Sequence, residues 1–179
     1  RLGLRPAHPA LGAGTTPVWS VSIGQGEGRR NRITAEPVSA GGLIYTMDSR
    51  ARVSAFSLSG DLVWSRDLTP PGTRNVDAAS GGGLAVGNGM LYVTSAFATV
   101  QALDLRTGET VWSRNFDALV TAAPMVDGNR LFFTASDSTA WSLDAMTGRT
   151  DWQVSGAPSP AQMVGGAAPK VAGNLVLFP

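Results

Sequence analysis

An all-β chain of repeated four-stranded antiparallel blades, a β-propeller, follows from three features of the 179 residues. Tryptophans recur at Trp19, Trp64, Trp112 and Trp152, with gaps of 45, 48 and 40 residues. A second landmark keeps the same step: Gly42-Leu43-Ile44-Tyr45, Gly89-Met90-Leu91-Tyr92, Asn129-Arg130-Leu131-Phe132 and Gly173-Asn174-Leu175-Val176. A third precedes the second, at Ala35-Glu36-Pro37-Val38, Ala123-Pro124-Met125-Val126 and Ala168-Pro169-Lys170-Val171. Units of roughly 40–48 residues have the size of a propeller blade. One blade cannot bury both of its faces, so blades must stack and the ring must close to hide its edges.

The second repeat shows how each unit divides into strands. Four short strands are expected at Leu84–Val86, Met90–Ser95, Thr99–Asp104 and Thr110–Asn115. Gly87-Asn88-Gly89 joins the first two with residues that tolerate positive φ, and Asp127-Gly128-Asn129 does so in the next repeat. Leu105-Arg106-Thr107-Gly108 joins the last two, with glycine free to take the left-handed position. No segment combines 3.6-residue periodicity with caps, so no helix is expected. The blades are then residues 33–68, 76–116 and 118–154, with 161–179 forming the first half of a fourth. Residues 18–23, carrying Trp19 at the phase of a fourth strand, are expected as the closing strand of the last blade. Residues 1–17 read as an N-terminal tether. Three blades and a half do not close a ring, so the native protein is expected to continue past Pro179. A start at Arg1 rather than Met suggests a processed product or a fragment.

Composition narrows the function classes. Hydrophobic residues make up 43% and charged residues 15%, the reverse of a disordered tail. A net charge of +1 gives no field for nucleic acid or lipid. Thirteen of the 14 basic residues are Arg, which fits codon bias better than a phosphate site. With no Cys, disulfides, thiolate metal sites and cysteine nucleophiles are excluded. No segment approaches the roughly 18–20 apolar residues of a membrane-spanning helix.

The segment Ala102-Leu103-Asp104-Leu105-Arg106-Thr107-Gly108-Glu109-Thr110-Val111-Trp112 resembles the tryptophan-docking motif of quinoprotein-like (PQQ-like) propellers. Ser142-x-Asp144-x-x-Thr147-Gly148-x-x-x-Trp152 repeats it with Ser for Ala. Ala55-x-Ser57-x-Ser59-Gly60-x-x-x-Trp64 is one residue shorter and lacks the Asp. The motif spans a hairpin: Ala leaves space, Asp accepts turn N–H groups, Gly makes the turn, and Trp covers the gap to the next blade. Within that superfamily the chain is most similar to the outer-membrane β-barrel assembly factor B (BamB) family. Arg32-Ile33-Thr34-Ala35-Glu36-Pro37-Val38, Gly81-Gly82-Gly83-Leu84-Ala85 and Gly165-Gly166-Ala167-Ala168-Pro169 carry that likeness.

The resemblance implies an eight-bladed ring, of which this chain holds about half, on the periplasmic side of the outer membrane of a Gram-negative bacterium. It implies a lipid-anchored protein with no catalytic activity and no cofactor, bound to the barrel-inserting (BamA-like) subunit. The lipidated Cys is absent here, so the sequence is expected to begin downstream of it. In the family, a Leu-x-Leu-Arg run before the Gly-x-(Ser/Ala)-Ala-Pro segment touches the barrel subunit. The matching positions are Ala161-Gln162-Met163-Val164, with Val164 in place of Arg. An exposed Met163-Val164 pair would form a small hot spot; the alternative is that both pack inward. Arg29, Arg30 and Arg32 form a second candidate patch, for an acidic partner, against a plain solvated loop.

Other readings use the same scaffold. A quinone- or metal-dependent dehydrogenase would need a catalytic Asp and a carboxylate metal site. Asp104 and Asp144, however, sit at motif turns, and Asp48 and Asp137 end second strands as turn residues. A ligand-sensing propeller of the same repeat type is the other alternative. His8, the single histidine, has no Ser/His/Asp set around it. Gly24-Gln25-Gly26-Glu27-Gly28 lacks phosphate-loop spacing and reads as a flexible connection. Gly81-Gly82-Gly83 suits close backbone packing near the ring axis.

Overall fold

The computed structural model describes residues 16–26, 32–73, 81–157 and 167–179. Among these, all regular structure is β and no helix occurs. The first blade comprises β1 (Val38–Ala40), β2 (Leu43–Met47), β3 (Arg52–Ser57) and β4 (Leu62–Asp67). The second comprises β5 (Gly82–Gly87), β6 (Met90–Ser95), β7 (Thr99–Asp104) and β8 (Thr110–Asn115). The third comprises β9 (Met125–Asp127), β10 (Arg130–Thr134), β11 (Thr139–Asp144) and β12 (Thr150–Ser155). A hairpin of β13 (Lys170–Ala172) and β14 (Leu175–Leu177) follows. Each blade is an antiparallel meander in chain order, β1-β2-β3-β4, β5-β6-β7-β8 and β9-β10-β11-β12. First strands lie beside one another, β1 by β5 and β5 by β9, so they form the inner edge and the fourth strands the rim.

Alternation in the strands sends one set of side chains to each neighbouring blade. Tyr45, Met47, Val53, Ala55 and Trp64 of the first blade meet Leu84, Leu91, Val93 and Leu103 of the second. The opposite face of the second blade supplies Met90, Tyr92, Val100 and Ala102, which meet Leu131, Phe133 and Leu143. The core is thus a series of interblade slabs. Burying an apolar side chain such as Phe133 or Leu131, both fully inaccessible, stabilises the stack by about 1.5–3 kcal/mol each.

The blades repeat in detail. In each, the ladder between third and fourth strands shifts register just after the small residue opposite the tryptophan. The pairs are Ala55 with Trp64, Ala102 with Trp112 and Ser142 with Trp152. The loop between second and third strands carries a left-handed non-glycine residue each time, Ala51, Ala98 and Ser138, with φ of 60°, 58° and 64°. Their carbonyls accept from Leu68, Phe116 and Gly156, the residues just beyond each fourth strand.

Residues 18–23, expected as the closing strand of the last blade, join no sheet among the described residues. A strand exists only where a neighbour takes its backbone groups, and no strand lies beside this segment here. Trp19 nevertheless docks on the first blade. The three-glycine run also behaves as close packing requires: Gly82 N donates to Thr121 O at 2.8 Å, and Gly83 lies against Ala123.

Candidate functional site

In an up-and-down meander, successive connections alternate between two ends of the blade. One end holds the first-to-second and third-to-fourth strand turns; we call it the turn end. The other, the loop end, holds the second-to-third strand loops and the crossings between blades.

The turn end is occupied by blade docking. Trp64 Nε1 donates to Leu105 O at 3.0 Å and Trp112 Nε1 to Ala145 O at 2.9 Å, each in the turn of the following blade. Trp19 does the same to Leu58 O at 2.8 Å. The indole lies on the glycine of that turn: a Cβ on Gly108 would stand 2.6 Å from Trp64 Cε3, and one on Gly148 2.7 Å from Trp112 Cε3. Both glycines have left-handed φ, 68° and 70°. Behind each indole stands an aromatic of the second strand: Tyr45 at 5.9 Å from Trp64, Tyr92 at 6.1 Å from Trp112, Phe132 at 6.0 Å from Trp152. Trp64 and Trp112 therefore share one environment. Trp152 has Phe178 of β14's end against it, at 6.0 Å and edge-on, in place of a turn glycine.

The motif carboxylates hold these turns. Asp104 Oδ1 accepts from Arg106 N at 2.8 Å and Thr107 N at 2.9 Å. Asp144 Oδ1 accepts from Thr147 N and Thr147 Oγ1, both at 2.8 Å, and Asn129 Nδ2 reaches its Oδ2 at 2.7 Å. Donation from the Thr107 and Arg106 amides holds Asp104 below the usual carboxylate range. The Thr147 hydroxyl and amide do so for Asp144. Asp48 is likewise engaged, accepting from Gln25 N, Arg50 N and Arg52 N at 2.8–3.0 Å, and Asp137 accepts from Thr139 N at 3.0 Å. Among the described residues, no group of three or more His, Cys, Asp or Glu side chains is arranged to hold a metal.

Sequence reasoning missed two arginines. Arg66 Nε donates to Gly108 O at 3.1 Å, and Arg114 Nη1 to Gly148 O at 2.7 Å, fastening the turn on which the neighbouring tryptophan rests. The signal was present as Trp64-Ser65-Arg66 and Trp112-Ser113-Arg114. The fifth tryptophan, Trp141, was also missed because it falls outside the repeat phase.

Among the described residues, two clefts open at the loop end. A cleft of about 440 Å³ opens between the second and third blades, lined by Arg114, Phe116, Asp117, Asp137, Trp141 and Gln153 among others. A smaller one, about 280 Å³, lies over the first blade between Gln25, Asp48, Arg50 and Asp67. Of the partner-binding candidates, Gln162, Met163, Val164, Arg29 and Arg30 lie outside the described residues. Arg32 is described and exposed. Gln25, which precedes the arginine stretch in the chain, accepts from Ser49 Oγ at the loop end of the first blade.

A family model described as "Outer membrane protein assembly factor BamB" matches residues 49–179. Among curated proteins, an uncharacterized protein of Rickettsia prowazekii (strain Madrid E) is 38% identical over 80 residues, 44% of this chain and 19% of that protein. A second, from Rickettsia conorii, is 36% identical over the same share. The chain thus spans about a fifth of the length of these relatives. Among solved structures, BamB from Moraxella catarrhalis superposes with a TM-score of 0.60 at 18% identity, covering 84% of this chain and 44% of that one. Quinohemoprotein alcohol dehydrogenase from Comamonas testosteroni gives 0.59 at 24%, covering 70% and 21%. At these identities the two structural likenesses speak to the fold.

Proposed function

The chain belongs to the family of the outer membrane protein assembly factor BamB, and on that premise we propose that it is part of a non-catalytic scaffold of the outer-membrane β-barrel assembly machinery. In this reading the whole protein is an eight-bladed ring, lipid-anchored on the periplasmic side of the outer membrane. It holds the barrel-inserting, BamA-like subunit by surface complementarity, and no bond is made or broken. The family match carries the reading. Two clefts at the loop end, open among the described residues, are compatible with a partner there.

The test is co-purification of the intact protein with the barrel-inserting subunit. Met163→Asp places a charge in the proposed hot spot and is expected to lower recovery of the complex at least about tenfold. Absence of any association in the unsubstituted protein removes the proposal. A second reading, a piece of a quinone-dependent dehydrogenase, uses the same propeller scaffold, a likeness of fold alone. A chromophore retained after incubation with pyrroloquinoline quinone and Ca²⁺ would support it against the scaffold.

A further inference from the structure

The three blades share one pairing register between their third and fourth strands, so a departure from the repeat stands out. Cross-strand pairing aligns Ser54 (opposite Ser65), Gln101 (opposite Ser113) and Trp141 (opposite Gln153). Two blades place a small or polar side chain at this position; the third places an indole. Trp141 builds an aromatic cup with two other residues: Phe133 is parallel to it at 6.2 Å, and Phe116 is edge-on at 5.0 Å. Trp141 remains partly exposed and faces the 440 Å³ cleft. That volume lies within the range of small-ligand sites.

The charges around the cup are unequal. Asp117 and Asp137 are exposed at its edge, and neither forms an ion pair among the described residues. Arg114 is the one cation lining the cleft, and it is already engaged. Its Nη1 is held by Gly148 O, and its guanidinium sits 5.9 Å from the Phe116 centroid. Two carboxylates therefore face one anchored cation beside an electron-rich indole, the arrangement that attracts a second cation. Beside the cleft runs β12, the outer strand of its sheet, with Gln153 and Ser155 both lining the cavity. An extended segment laid along that edge would direct every second side chain toward the cup.

We propose that this cleft is a subsite for one arginine or lysine side chain, presented by an extended segment of the partner protein. The inference rests on the scaffold reading for the identity of its ligand as a protein. The site itself is tested with a peptide, independently of any complex. The probe is an acetylated, amidated Thr-Val-Arg-Val-Thr pentapeptide added to the full ¹⁵N-labelled chain. Its control is the same peptide with citrulline for arginine. The indole N–H signal of Trp141 is identified by its loss in Trp141→Phe.

Saturable movement of that signal by the arginine peptide is expected. Affinity should be about tenfold weaker with citrulline, and about tenfold weaker in the Asp117→Asn, Asp137→Asn double variant, with a similar loss in 0.5 M NaCl as screening removes the charge term. The other indole signals report that the variants remain folded. Equal affinity for the two peptides, an unmoved Trp141 signal, an unaffected double variant, or movement by maltose in place of the peptide would each overturn the proposal. Loss of the peptide effect with co-purification retained would remove the subsite alone. Loss of co-purification with the peptide effect retained would remove the scaffold reading alone.

Discussion

Adding one methyl group at Gly108 tests the docking geometry more sharply than removing a tryptophan. Two costs arise in Gly108→Ala. The first is local: φ is 68°, and an L-residue there costs about 1–2 kcal/mol, offset by about 0.4–1 kcal/mol from the reduced entropy of the unfolded chain. The second is interblade. The new Cβ would lie 2.6 Å from Trp64 Cε3 and 2.7 Å from Cδ2, so the ring must retreat by about 0.8 Å to reach ordinary contact. Trp64 is only 8% exposed and packs on Tyr45, so retreat strains the slab by about 1–3 kcal/mol. The expected loss is about 3 kcal/mol, read from urea unfolding with m unchanged. Gly128→Ala is the matched control: φ is 54° and its Cβ meets nothing within 4 Å, so about 1 kcal/mol is expected. In a Trp64→Ala background the clash is gone and Gly108→Ala should cost about 1 kcal/mol, leaving a coupling of about 2 kcal/mol in the double-mutant cycle. Equal losses for Gly108→Ala and Gly128→Ala, or a coupling near zero, would refute the indole-on-glycine account.

Trp112→Ala removes the indole that rests on Gly148 and donates to Ala145 O; a loss of about 3–5 kcal/mol in the same unfolding assay is expected, and an unchanged melting temperature would contradict it. Ala98→Gly relieves a left-handed alanine at φ 58°; strain relief and added unfolded-state entropy nearly offset, so stability should change by less than about 1 kcal/mol, whereas Ala98→Val should lower it measurably in thermal unfolding. Asp104 and Asp144 have folded-state pKa values lowered by their turn hydrogen bonds. Their stabilisation is complete above the unfolded carboxylate pKa of about 3.9 and is lost as pH falls through the lower folded values. Melting temperature should therefore drop on acidification below about pH 4, and drop less in the Asp104→Asn, Asp144→Asn variant.

Most of the blade architecture was legible because it rests on local chemistry repeated in register. Met90–Ser95, Thr99–Asp104 and Thr110–Asn115 are strands whose limits follow from turn residues on either side. The docking pairs were legible as spacing, since a tryptophan four residues after a glycine recurs in each unit. What was not legible is the contact that each indole makes in the next blade. Trp112 lies near Gly108 in the chain, yet it rests on Gly148 of the next blade, while Gly108 receives Trp64. Trp141 was invisible for the opposite reason. Periodicity draws attention to what repeats, and this residue matters by breaking the repeat. Residues 18–23 were read from the repeat phase of Trp19, and that indole donates to Leu58 O and lies on Gly60 of the first blade.

The amino-acid order alone determined that the chain is all-β, that it is built of four-stranded units, and which side chains form the turns. These depend on φ preferences, alternation and side-chain size, all properties of a few adjacent residues. Only the tertiary structure decided the rest: that Trp64 and Trp112 each rest on the turn glycine of the next blade, that Arg66 and Arg114 fasten the neighbouring turns, and that Phe116 and Trp141 meet at a cleft beside two carboxylates. Those groups come from different strands and different blades. Their distances are set by how blades stack, a long-range outcome that no local preference encodes.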